Sequence, residues 1–130
     1  MSIWSYGCKL TDLRVILSIK KVRLILKSLA DDTRLRIVNL LSKKELNVNE
    51  LCEILDAQQS NISKHLSRLR LTGVAVDKRD GMNIYYSLAK QRKDKAYKKI
   101  INSIISGLAD SEVFKADIEK LKSIQGSTDV

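Results

Sequence analysis

Residues 45–88 read ELNVNELCEILDAQQSNISKHLSRLRLTGVAVDKRDGMNIYYSL. From left to right this predicts a short helix, a tight turn, a second helix and a β-hairpin. Asn47 or Asn49 can cap the first helix, because a short side-chain oxygen accepts from backbone N–H groups that lack a partner there. Val48, Leu51, Ile54 and Leu55 then point inward, and Asp56-Ala57 makes the turn. The second helix runs from about residue 58 to residue 71. Its inward residues Ile62, Leu66 and Leu69 stand at i, i+4 and i+7. Gly73 stops it, since glycine accepts the left-handed backbone that ends many helices. Val74 and Val76 next alternate with Ala75 and Asp77. Asp80-Gly81 predicts a two-residue hairpin turn, because both positions tolerate positive φ. Ile84, Tyr86 and Leu88 alternate on the return strand. A helix braced by another and followed by a basic hairpin is suited to double-stranded DNA. The second helix fits a major groove and the hairpin reaches the neighbouring backbone.

Working outward, residues 31–42 predict a supporting helix with Asp31 or Asp32 as N-cap and Leu35, Val38 and Leu41 inward. Residues 12–29 predict a long helix that is apolar on more than one side, and such a helix packs against more than one neighbour. Residues 91–108 predict another, with Tyr97, Ile100, Ile101, Ile104, Ile105 and Leu108 on one stripe. These stripes exceed what a small three-helix module can cover, so the expectation is a homodimer with the two long helices at its interface. The alternative is that they pack on each other within one chain. A two-fold dimer would set its second helices about 34 Å apart over an inverted repeat. Residues 109–130 carry Val113, Phe114, Ile118 and Leu121 as a helical extension ending in a frayed QGSTDV. The division is thus a tail at 1–11, a winged helix-turn-helix domain with dimerisation helices at 12–108, and the extension at 109–130. The fold class is mainly α with a small β-hairpin.

The totals agree with this reading. The chain has 130 residues, a formal net charge of +9 and a sequence pI near 9.7, which favours an acidic partner such as nucleic acid. The charge is uneven: residues 31–57 sum to −2, residues 58–89 to +3 and residues 90–108 to +5. Cys8 and Cys52 make no disulfide framework, and reduced thiols fit a cytoplasmic protein. The apolar run at residues 15–19 is far short of the about 20 residues a membrane span needs. Charges interrupt the first thirty residues, which argues against a signal peptide. No glycine-rich phosphate loop, nucleophile motif or ligand cluster is visible, so the chain does not read as an enzyme.

With Ile62, Leu66 and Leu69 inward, the second helix presents Gln59, Ser60, Asn61, Ser63, Lys64 and Arg68. Asn, Gln and Arg can bond base edges in pairs of hydrogen bonds, while Ser and Lys suit phosphate oxygens. Lys78, Arg79 and Asn83 near the hairpin tip are placed for backbone or minor groove. His65, the single histidine, is counted with these DNA-binding residues, at the edge of the core where it bonds a neighbour or a phosphate. It cannot build a histidine-rich metal site alone. The bland alternative is a solvated helix face in a winged helix that binds proteins within a larger assembly.

Here the residues resemble a known family. LADDTRLRIVNLL at 29–41, NELCEILDAQQSNISKHLSRLRLTGV at 49–74 and KRDGMNIYYSL at 78–88 are similar to the ArsR/SmtB family of winged-helix repressors. The most specific part is Ser60-x-x-Ser63-x-His65-Leu66-x-x-Leu69-x-x-x-Gly73. The resemblance spans about residues 22–105. It implies a homodimer joined through the first and last long helices, and operator binding that an inducer relieves.

The sensing residues depart from the family's familiar members. Arsenic and cadmium sensors carry Cys-Val-Cys where this chain has Asn47-Val48-Asn49, and asparagine is a poor ligand for thiophilic metals. Zinc and cobalt sensors place His and carboxylate pairs on the last helix, where this chain has no histidine and a lone Asp94. None of the family's usual metal sites is intact, and no cofactor is required. Cys8 and Cys52 are left as a candidate thiol sensor, able to hold a trivalent metalloid or to form a reversible disulfide if they approach. Otherwise Cys52 is a small buried hydrophobe and Cys8 an incidental tail residue. The third option is a repressor with no metal at all, tuned by another ligand, a protein partner or promoter competition.

Overall fold

The computed structural model describes residues 13–128. It runs α1 (Leu13–Leu29), α2 (Asp32–Leu41), β1 (Leu46–Asn47), α3 (Val48–Leu55), α4 (Gln59–Leu71), β2 (Ala75–Asp80), β3 (Asn83–Leu88), α5 (Lys95–Gly107) and α6 (Glu112–Thr128). The three strands form one antiparallel sheet in the order β1-β3-β2. This is a winged helix-turn-helix: α3 and α4 are the helix pair, and β2 and β3 are the wing.

Local chemistry sets each boundary. Asp31 has an extended backbone, and its carboxylate accepts the Arg34 N–H at 3.0 Å, which starts α2. Asn47 starts α3 with a reciprocal pair of bonds. The Glu50 N–H donates to Asn47 Oδ1 at 2.8 Å, and the Asn47 N–H donates to Glu50 Oε1 at 3.0 Å. Between the two candidate asparagines, Asn47 is therefore the cap. Replacing it with alanine is expected to cost about 1 kcal/mol, read as a fall of a few degrees in Tm by thermal denaturation. Asp56 takes the left-handed conformation (φ 50°, ψ 55°) and turns the chain from α3 into α4. Gly73 has φ +76°, and a Cβ there would lie 2.9 Å from Arg92 Nη1, so both backbone and space demand glycine.

The core lies between the helix pair and its supports. Ile37, Leu40, Leu51, Ile54, Ile62, Leu66 and Leu69 are fully buried, as are Leu46 of β1 and Val74 just before β2. Ile25 and Leu29 of α1, Tyr97 and Ile101 of α5 and Leu121 of α6 join the same cluster. Each aliphatic side chain in it contributes about 1.5–3 kcal/mol by leaving water. That burial fixes which face of α4 is left outside.

Five details differ from the sequence reading. The wing turn is Gly81-Met82, one residue later than expected, because Asp80 still pairs with Asn83 in the ladder and Gly81 alone takes positive φ (+64°). In β2, Ala75 is buried and Val76 is exposed, since Ala75 pairs with buried Leu88 while the rest of the wing projects beyond the core. Leu46 and Asn47 add a third strand that no alternation could announce over two residues. At the other end, α5 begins at Lys95 rather than residue 91, because Arg92 and Asp94 are occupied in holding the loop. The extension forms α6, which continues to Thr128 instead of fraying from residue 125.

α6 also packs against α2 and α3. Phe114 and Leu121 are buried, and the wholly enclosed Asp117 accepts two hydrogen bonds from Arg36 of α2, at 2.9 Å from Nε and 2.8 Å from Nη2. The Asp117 bond holds the Arg36 guanidinium above its ordinary pKa.

Candidate nucleic-acid interface

With Ile62, Leu66 and Leu69 turned to the core, α4 presents Gln59, Ser60, Asn61, Lys64, Ser67 and Arg68 to solvent, and Ser63 is half-buried at the margin. Lys64 and Arg68 have no carboxylate partner among the described residues. Arg70, by contrast, lies 3.7 Å from Asp77 of β2 and ties α4 to the wing. The N-cap residue Gln58 makes no side-chain cap bond, unlike Asp31 and Asn47. The positive end of the α4 dipole is thus not covered by its own cap, a setting that favours an anion.

The sequence reading missed Ser67 and Leu71. Both lie on the outward face, and Leu71 is 80% exposed. Together with Leu24 of α1 they line a shallow trough beside Ser60, Ser63, Lys64 and Arg68. Extending the helical spacing from Ser60 and Lys64 would have found them. On the wing, Lys78, Arg79 and Asn83 are exposed as expected, and Met82 at the tip is completely so.

His65 sits differently from the other candidates. Its side chain is largely covered, with Nδ1 at 3.1 Å from Arg34 Nη1 and 3.7 Å from Asp31 Oδ1. Arg34 Nε in turn donates to the Ser28 carbonyl at 2.5 Å. His65 thus anchors α4 to the corner between α1 and α2. On the helix it lies between exposed Asn61 and buried Leu69, at the margin of the outward face, and its bonds draw it inward. Burial works to raise the Asp31 pKa, but the Arg34 N–H and nearby positive charge outweigh it and hold the carboxyl below its usual value.

The far end of α4 is gripped by the segment leading into α5. Arg92 Nη1 donates to the carbonyls of Thr72 and Gly73 at 3.2 and 3.1 Å, and its Nε donates to Asp94 Oδ1 at 2.6 Å. The Arg92 bond holds the Asp94 carboxyl below its ordinary pKa. The guanidinium lies over the Tyr97 ring, 4.8 Å from its centroid. Tyr97 Oη donates to the Val74 carbonyl at 2.9 Å and accepts the Ala89 N–H at 3.1 Å. Burial raises the Tyr97 pKa. Tyr97→Phe is expected to cost about 1 kcal/mol, checked by chemical denaturation, because the Val74 carbonyl keeps its bond from the Ala89 N–H. Nothing in the sequence pattern marked Arg92, since an isolated arginine in a basic loop carries no spacing signal.

Asn47 is committed to the α3 cap and Asn49 is exposed. Cys52 is half-buried in α3, and Cys8 lies outside the described residues. Among the described residues no three His, Cys, Asp or Glu side chains gather as a metal site, and no helix is long and apolar enough to cross a membrane.

The fold and the α4 face define a winged-helix regulator. Residues 31–75 match the model of the bacterial regulatory proteins of the arsR family. The transcriptional repressor PagR of Bacillus anthracis is 41% identical over 81 residues, 62% of this chain and 80% of that protein. Its crystal structure superposes with a TM-score of 0.56 at 35% identity, covering 67% of this chain and 95% of that one. The arsenical resistance operon repressor of Escherichia coli is 47% identical over 66 residues. That stretch is 50% of this chain and 56% of that protein, so the match spans little more than half of the relative. The fold is shared with a homodimeric winged helix-turn-helix DNA-binding domain from Mycobacterium bovis, at a TM-score of 0.62 and 24% identity, over 78% of this chain and 89% of that one. The chain belongs to the arsR family, a family of regulators rather than enzymes.

Proposed function

We propose that the chain is a homodimeric, cytoplasmic transcriptional repressor that binds double-stranded DNA at an inverted-repeat operator and is released by an inducer. The observation that carries this reading is the outward face of α4, where Gln59, Ser60 and Asn61 stand at a helix start without a side-chain cap and Ser63, Lys64 and Arg68 continue along the helix. In this reading α4 enters the major groove and these side chains meet base edges and phosphates. Lys78, Arg79 and Asn83 follow the backbone from the wing. His65 acts one step back, by setting the tilt of α4.

Dimerisation is supported by the apolar surface of α1. Leu13, Ile16, Leu17, Ile19, Leu24 and Leu26 are all exposed, although α1 already touches α2, α4 and α5. Leu108 at the end of α5 is exposed as well. A second copy would cover these side chains, and the M. bovis domain of the same fold is homodimeric. The domain division at 12–108 and 109–130 is part of the proposal, with α6 as a brace on α2 and α3.

The Arg92–Tyr97 grip suits release, because it makes α5 and the end of α4 move together. A signal acting at the dimer helices would therefore tilt the reading helix. Cys52, with Cys8 or alone, is the candidate for a metalloid or thiol-oxidation input, while Asn47 is occupied as a cap.

A gel-shift titration of the purified chain against the DNA upstream of its own gene tests the reading. A sequence-selective shift that weakens with salt is expected. Absence of any selective shift would return the fold to the alternative of a protein-interaction module.

A further inference from the structure

α2, α6 and the end of α5 line a half-open cavity of about 260 Å³. Ile105, Ala109, Phe114 and Ile118 give it an apolar body. Lys43, Lys115 and Lys122 stand around it with a single carboxylate, Glu119. Asn39 of α2 lines the same space and is 3% exposed, yet its Nδ2 finds no acceptor among the described residues. A buried amide donor without an acceptor is costly, and such groups mark places where another molecule completes the bonding.

We propose that this cavity binds a small organic carboxylate with a compact apolar body. The volume is just below the range of about 300–1,000 Å³ typical for drug-sized ligands, so the occupant is small. Lys122 is paired with Glu119 at 3.8 Å, which leaves Lys43 and Lys115 without a carboxylate partner among the described residues, and that balance selects an anion. The apolar walls select a hydrocarbon or aromatic body over an inorganic ion. The Asn39 Nδ2 is closed off from the space as it stands, and a turn of the amide toward the occupant would give this donor the carboxylate oxygen as its acceptor. An occupant would touch α2, α5 and α6 at once and fasten α6 to the rest of the fold. The site belongs to the folded chain itself, and its test reads binding alone, independent of any DNA.

Benzoate is the probe, with benzylamine as a control of similar shape and opposite charge. In ¹⁵N-labelled full-length protein, benzoate is expected to bind saturably and to shift the Asn39 side-chain NH₂ signals, while benzylamine does neither. Asn39→Leu, which keeps the volume and removes the donor, is expected to weaken benzoate about tenfold or more without lowering Tm. Lys115→Gln with Lys122→Gln, both on exposed turns of α6, is expected to weaken it several-fold and keeps the test open if the core variant fails to fold. Failure of benzoate to saturate, equal binding of benzylamine, or unchanged affinity in folded variants would overturn the proposal.

Discussion

A chain carrying Lys64→Ala and Arg68→Ala together is expected to lose about three orders of magnitude or more in affinity for its operator. Both side chains are exposed on α4, and neither has a carboxylate partner among the described residues, so removing them disturbs nothing in the fold. In the proposed dimer each change counts twice. A charged contact with a phosphate or base edge is worth about 1–3 kcal/mol, and every 1.4 kcal/mol is tenfold. The salt dependence separates the two kinds of contact. Each phosphate that is no longer neutralised should reduce the slope of log K against log salt by about 0.9. If Arg68 reads a base, Arg68→Ala alone should instead relax the preference for operator over scrambled DNA. Fluorescence anisotropy at several salt concentrations gives both readouts. Wild-type affinity and slope in the double variant would remove α4 from the DNA interface. The thermal transition should stay put, which distinguishes this variant from one that simply unfolds.

Arg36→Leu is the complementary case, in which the fold suffers first. Asp117 is 1% exposed and takes both its side-chain bonds from Arg36. Without the guanidinium, a buried carboxylate stays behind unpaired. Breaking a buried pair from one side costs about 3–5 kcal/mol. The Arg36 side chain is 32% exposed, so water softens the loss and about 2–3 kcal/mol is expected. For a domain of this size that lowers Tm by roughly 6–10 °C. Arg36→Leu with Asp117→Leu should recover most of the loss, because removing both charges leaves no orphan. Urea denaturation of the parent and the two variants decides the matter. A single variant as stable as the parent would mean that Asp117 finds water or another donor, and that α6 is held by Phe114 and Leu121 alone.

The parts of the fold that are legible in the chain are those written as periodic patterns. Ile62, Leu66 and Leu69 set the orientation of α4, and with it the outward set from Gln59 to Arg68. Gly73 and Asp31 mark helix ends because their chemistry is local. What escapes depends on partners far away in the chain. Arg92 meets the end of α4 about twenty residues earlier, and Arg36 meets Asp117 across 81 positions, so neither pairing leaves a spacing to read. The wing turn slips by one residue because Asp-Gly and Gly-Met both offer a glycine. The ladder pairing of Asp80 with Asn83 chooses between them. A polar residue on a reading helix invites placement toward DNA, and His65 is such a residue. Its neighbours Arg34 and Asp31 come from α2 and its cap, and they draw it inward.

The two-residue strand β1 sets a boundary for protein engineering. Leu46 and Asn47 pair with Tyr86 and Tyr85 of the wing, while the same Asn47 caps α3. One residue therefore fastens the start of the helix pair to the far strand of the hairpin. The Arg92 and Tyr97 bonds then fasten the hairpin's exit to the end of α4. A chimera that transplants α4 alone, or α3 with α4, would sever this loop of connections and deliver a helix with no defined tilt. The smallest portable cassette runs from residue 31, so that Asp31 and Arg34 keep their hold on His65, to residue 97, and specificity swaps between relatives should be cut at those two points.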